Sequence, residues 1–133
     1  MDNSKDATNK DHTRRKQQAT IEFYERTLLK RVELTEYLGH DRESQRIREN
    51  IWAAKHGNRI LGDAISEYLN IVELLAAATL LEIFDIDTMK KIARGRILAI
   101  AENYREWIVY RRTLFDSPEL YIEIERLAQR FQQ

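Results

Sequence analysis

Residues 60–84 read ILGDAISEYLNIVELLAAATLLEIF, and this stretch decides the fold. It is apolar around most of a helical wheel, yet Asp63, Glu67, Asn70 and Glu73 recur on one narrow stripe at spacings of three and four. A helix built this way is nearly surrounded by neighbours, so its polar stripe must reach water or find partners. The expectation is an all-α protein, a single antiparallel bundle organised around one central helix.

Outward from that element, start and stop signals divide the rest of the chain. Residues 1–12, MDNSKDATNKDH, hold almost no apolar side chains and read as a disordered polar tail. From Thr13 to about Leu38, Ile21, Tyr24, Leu28 and Val32 follow helical spacing as the inward face, with Phe23, Leu29, Leu34 and Leu38 widening it. Gly39 ends this helix. Asp41 is placed to cap a shorter one over 42–55, with Ile47, Ile51 and Ala54 inward, and Gly57-Asn58 make the break before the central helix. Asp87 is a natural N-cap for a fourth helix from Thr88 to about Leu114. Ser117-Pro118-Glu119 is a further start signal, opening a helix whose apolar face is Leu120, Ile124, Leu127 and Phe131. About five helices with short connections form the expected bundle, over residues 13–133.

Composition agrees and narrows the chemistry. The chain has 133 residues, one Pro and four Gly, which leaves little material for strands and turns. With no Cys, disulfides, thiolate metal sites and cysteine nucleophiles are excluded, which fits a reducing, cytoplasmic setting. The first twenty residues lack the apolar run of a secretory signal. Acids interrupt the most apolar segment well short of the about 20 residues a membrane span needs, so no span is expected. Net charge is zero but unevenly spread: 60–89 carries six acids and no Lys or Arg, whereas 10–31 and 90–112 are basic in balance. Such complementary blocks tend to neutralise one another within a fold.

A short connection after Phe84 makes the central and fourth helices antiparallel neighbours in a long hairpin. If the chain folds back near residue 86, Glu73 lies near Arg96, Asn70 near Asn103, and Asp63 near Arg111. Buried carboxylates need partners, so a structural polar network of Asp63, Asn70, Glu73, Arg96, Asn103 and Arg111 is expected across the hairpin. The competing reading is a charged pocket for a ligand.

The run Tyr68-Leu69-Asn70-Ile71-Val72-Glu73-Leu74-Leu75-Ala76 resembles the signature of a bacterial family catalogued as domain of unknown function 4760, with its Tyr/Leu-Asn-x-x-Glu-x-x-Ala core. Trp107, Arg111, Arg112, Ser117-Pro118, Tyr121 and Leu127-Ala128-Gln129-Arg130-Phe131 match the later part of the pattern, and Arg15 to Phe23 resembles its usual start. The resemblance spans roughly residues 14 to 131. It implies a helical fold and no particular reaction. Many members carry transmembrane helices before this domain, whereas this chain begins with a short polar segment, so anchoring is not carried over.

Catalytic and metal-binding patterns are lacking. His12, His40 and His56 sit in the tail and at helix boundaries, and only Glu36 and His40 share an i, i+4 spacing, beside Gly39. Asp85 and Asp87 lack the ligand series of a calcium loop. No phosphate loop, nucleophile elbow or zinc motif occurs, and the separation of Arg48 and His56 is too long for an Arg–His ribonuclease pair. No cofactor is expected. Two classes of function remain. Arg14, Arg15 and Lys16 at one helix start, with Lys90, Lys91, Arg94 and Arg96 at another, oppose the helix dipole and would suit phosphates. Against nucleic acid stand the neutral total charge and the lack of a recognition-helix pair. A non-enzymatic, self-associating protein-interaction module is the favoured expectation. The long first helix carries apolar positions on more than one side, and Trp52 sits in an otherwise charged helix.

Overall fold

Two bends turn the five expected helices into seven. The computed structural model describes residues 3–133, and among these it is all-helical: α1 Asn3–Arg26, α2 Leu28–Leu38, α3 Ser44–Lys55, α4 Arg59–Leu80, α5 Ile86–Asn103, α6 Arg105–Phe115 and α7 Ile122–Gln132. The expected first helix is α1 and α2, bent at Thr27. Here the Thr27 hydroxyl lies 3.2 Å from the carbonyls of both Phe23 and Tyr24. The same oxygen accepts from Arg31 Nε at 3.0 Å, while Arg31 Nη2 donates to the Tyr24 carbonyl at 2.6 Å. A hydroxyl bonded back to the ladder and a guanidinium inserted beside it are both recognised causes of helix bending. The expected fourth helix is α5 and α6, interrupted at Tyr104, where φ is −103° and ψ 9°. The ladder continues through it, with Tyr104 N donating to Ile100 and Ile108 N donating to Tyr104, each at 3.0 Å.

Several boundaries also move, each for a local reason. Residues 3–12, expected as part of a disordered tail, form the first turns of α1, and residues 6–12 are exposed. Extending an existing helix into polar sequence is far easier than nucleating one there. Met1 and Asp2 of that tail lie outside the described residues. The central helix ends at Leu80 rather than Phe84, because Glu82 adopts φ 62° and the amides of Ile83 and Phe84 both turn back to the Ala78 carbonyl. Asp85, not Asp87, caps α5, accepting from Thr88 N at 2.9 Å and Thr88 Oγ1 at 2.7 Å. Asp41 does not cap α3, which begins at Ser44. The Ser117-Pro118-Glu119 signal forms turns instead of a helix start: Asp116 and Tyr121 are left-handed, and the last helix opens at Ile122.

The core is assembled around α4, whose Ile65, Tyr68, Leu69, Val72, Leu75 and Ala76 are buried. Facing it are Ile47 and Ile51 of α3, Met89, Ala93, Ile97 and Ile100 of α5, Trp107 and Ile108 of α6, and Ile124, Leu127 and Phe131 of α7. The decisive arrangement is that α7 packs extensively on both α4 and α5, while α4 and α5 touch each other only slightly. The hairpin is therefore wedged open by the last helix. On α2 the inward face also differs from expectation. Leu34, Thr35, Leu38 and Arg31 are buried, whereas Ile21, Leu28, Leu29 and Val32 face outward. Two polar anchors set that rotation: Thr20 Oγ1 accepts from Asp85 N at 2.8 Å, and Arg31, only 1 % exposed, stacks 3.8 Å from the Tyr24 ring centre.

Since Arg31 relies on Thr27 for one of its hydrogen bonds, Thr27→Val should cost about 1.5–3 kcal/mol, the worth of a hydrogen bond to a charged group. Thr27→Ser, which keeps the oxygen, should unfold in urea close to the wild-type midpoint.

Candidate functional site

The polar residues of the central hairpin do not meet across it. Asp63, Glu67 and Asn70 are exposed, so most of the stripe on α4 simply reaches water, with Glu67 pairing to Lys30 of α2 at 3.2 Å. Arg96 pairs with Asp41 at 3.7 Å rather than with Glu73. Asn103 donates to the Asp41 carbonyl at 3.0 Å and accepts from Ser44 Oγ at 3.0 Å, so it ties down the α2–α3 loop instead of meeting Asn70. Arg111 forms no ion pair with Asp63; its guanidinium stacks 4.4 Å from the Phe115 ring centre and 5.3 Å from that of Trp107. The expected network of Asp63, Asn70, Glu73, Arg96, Asn103 and Arg111 is thus corrected residue by residue: α7 takes Glu73 away from Arg96, while Asp63 and Arg111 line one cleft where α4 meets α6 without an ion pair between them.

Glu73 instead serves that last helix. Its carboxylate accepts from the backbone amides of Ile124 at 2.9 Å and Glu123 at 3.3 Å, the first turn of α7. No side chain within the 116–121 loop caps α7, so a carboxylate from α4 does so across 50 residues of sequence. The opposite end is met by cations of α5: Arg94 Nε donates to the Phe131 carbonyl at 2.9 Å and Lys90 Nζ to that of Gln133 at 3.4 Å. An acid at the N-terminus and bases at the C-terminus both complement the helix dipole. Arg112 completes the frame, donating to the Leu120 carbonyl at 2.8 Å and pairing with Glu125.

This answers the question raised by the cations at the start of α5. They sit against the dipole of their own helix because they belong to the end of another. Lys91 remains exposed, as do Arg14 and Arg15 of α1, while Lys16 is half-buried. Trp52 is 64 % exposed and stacks on His56, with ring centres 4.2 Å apart. A groove of about 680 Å³ between α3 and α6 is lined by Arg48, Lys55, Glu102, Arg105, Glu106 and Tyr110. Its charges are largely self-paired, Lys55 with Glu106 at 3.1 Å and Arg105 with Glu102 at 3.7 Å. Burial pushes the Tyr68 phenol up to about 12 and raises that of Tyr104, so both stay neutral. Among the described residues no group of three His, Asp or Glu converges as a metal site.

Several large apolar side chains are exposed, among them Leu74, Leu81 and Ile83 towards the end of α4 and beyond it, Val109 and Leu114 on α6, and a further group on the outer side of α1–α2. Ile21, Leu28 and Val32 lie on one line there, with Leu29, 73 % exposed, beside them. The sequence periodicity grouped Ile21, Leu28 and Val32 with Tyr24 as an inward face; of the four only Tyr24 is half-buried against the core.

Removing the Glu73 carboxylate should loosen α7 without disturbing Arg96. Glu73→Leu is expected to cost about 1–2 kcal/mol, the scale of a lost cap, with faster amide exchange concentrated in 122–132. Burial raises the Glu73 carboxyl above its ordinary value. The folded state then holds that proton more tightly than the unfolded chain, so this residue's contribution to stability grows as pH falls through its folded value towards the ordinary one. Glu73→Gln should abolish that part of the pH dependence.

No helix among the described residues is long and apolar enough to cross a membrane. No curated protein and no solved structure matches the chain. The family model described as domain of unknown function (DUF4760) matches residues 7–131, nearly the whole sequence. Several motif residues of that likeness hold structural positions: Glu73 caps α7, Arg112 fixes the loop before it, and Trp107, Leu127 and Phe131 are buried in the core, whereas Asn70 is exposed. On that match the chain belongs to the family described as domain of unknown function DUF4760.

Proposed function

We propose that this protein works by docking to protein rather than by catalysis, with the outer face of α1–α2 as its contact surface. The observation that carries the reading is the exposed line of Ile21, Leu28 and Val32, flanked by Leu29, on helices whose opposite side is anchored to the bundle. A run of large apolar side chains of this kind, rimmed by charge, is the usual mark of an interaction site. A cytoplasmic, cofactor-free role belongs to the same reading. The groove between α3 and α6 supports it less, because its charges pair internally.

The second reading is nucleic-acid binding, and the structure reduces its basis. Lys90 and Arg94 are engaged by the end of α7 and Arg96 by Asp41, leaving Arg14, Arg15, Lys16 and Lys91 as candidates for phosphate contact. One run of three cations and a single distant lysine supply little of the counterion release on which such binding rests.

A photoreactive residue placed at Leu29 in cells making the protein should give a discrete crosslinked protein product, while the same residue at exposed Glu119 should not. Absence of product at Leu29 would overturn the docking face. Sedimentation with random duplex DNA at two salt concentrations tests the alternative: salt-sensitive co-sedimentation, lost when Arg14, Arg15 and Lys16 become Gln, would favour it.

A further inference from the structure

The geometry points to a second copy of this chain, laid antiparallel along α1–α2, as the occupant of the exposed face; the inference rests on the docking reading and names its partner. Arg14, Gln18, Ile21, Glu25, Leu28 and Val32 follow one another at steps of four, three, four, three and four, and all six are exposed. That spacing keeps the six on one helix face, whose apolar part is Ile21, Leu28 and Val32. It runs along a single outward line that begins in the part of α1 extending beyond the core contacts and crosses the bend at Thr27 onto α2.

The charges select the partner and its direction. Among the described residues Arg14 and Arg15 at one end of the line have no acidic partner, and neither does the Glu36 side chain at the other, while Glu33 holds Lys30 only at 3.9 Å. Two copies running parallel would set Arg14 and Arg15 against themselves, and Glu33 and Glu36 likewise. Turned antiparallel about a two-fold axis, residues whose numbers sum to about 50 face one another, as in an antiparallel helix pair. Ile21 of each copy then meets Leu28 and Leu29 of the other, and Arg14 and Arg15 come within a turn of Glu33 and Glu36. The surface is complementary to itself at both ends, and at the axis Glu25 of each copy faces the other with Arg26 one position away. A formal net charge of zero adds no overall repulsion between copies.

Charge exchange tests this directly. The full chain should sediment as a dimer at micromolar concentration. The double variants R14E/R15E and E33K/E36K should each weaken self-association by about tenfold or more, with melting temperatures near wild type because all four residues are exposed. Mixed in equal amounts, the two variants should restore a dimer, since each then meets its opposite at both ends. A monomeric wild type, variants that dimerise as well as wild type, or a mixture that stays monomeric would overturn the antiparallel pair. If that happens while a photoreactive group at Leu29 still captures another protein, the second copy falls and the docking face stands; if Leu29 captures nothing, both fall.

Discussion

The placement of α7 is the constraint on which the rest of this structure depends. Eleven residues long, that helix is too short to be stable alone, and its buried Ile124, Leu127 and Phe131 are useful only if both α4 and α5 receive them. It is held by complementary charge at each end, Glu73 at the first turn and Arg94 with Lys90 at the last carbonyls. Because these groups come from two different helices, docking α7 sets how far apart α4 and α5 stand. Arg96 and Asn103, kept from α4, turn instead to the loop between α2 and α3.

This arrangement explains where charge is available and where it is not. A block of cations at the start of a helix normally invites an anion from outside. In α5 most of that block is answered from within, by the carbonyl end of α7 and by Asp41. The large acidic stripe of α4 is likewise unremarkable energetically, since Asp63, Glu67 and Asn70 keep their hydration. Among what is left with no internal assignment is the outward apolar line of α1–α2, with Arg14, Arg15 and Glu36 near its ends. An interaction surface is the reading that such a remainder supports.

Much of the architecture was legible in the sequence, and the failures are instructive. The central helix apart from its last turn, the break at Gly57-Asn58, the stop at Gly39, and the inward positions Ile47, Ile51, Ile124, Leu127 and Phe131 all follow from local pattern, and the structure agrees at each. Periodicity found the Ile21–Leu28–Val32 line but could not say which side faced the core, because two polar residues, Thr20 and Arg31, decide that by their hydrogen bonds. The Ser117-Pro118-Glu119 start signal was overridden by a cap supplied 50 residues earlier, at Glu73. The pairing of Glu73 with Arg96 across the hairpin failed for the same reason: short connections suggest neighbours, yet a later helix can separate them. Arg31, buried without any carboxylate, gave no local signal beyond its place beside Leu34 and Leu38. Glu73 and Arg112, both in the family pattern, have clear structural duties in holding α7 and the loop before it.

The most direct test of the wedge is to end the chain before Ile122 and follow unfolding in urea. Without α7, residues 1–121 should lose their single cooperative transition, since α4 and α5 share few contacts of their own. A sharp transition retained by the shortened chain, with tertiary dispersion in its spectra, would show that α4 and α5 hold together without their common partner and would contradict this account.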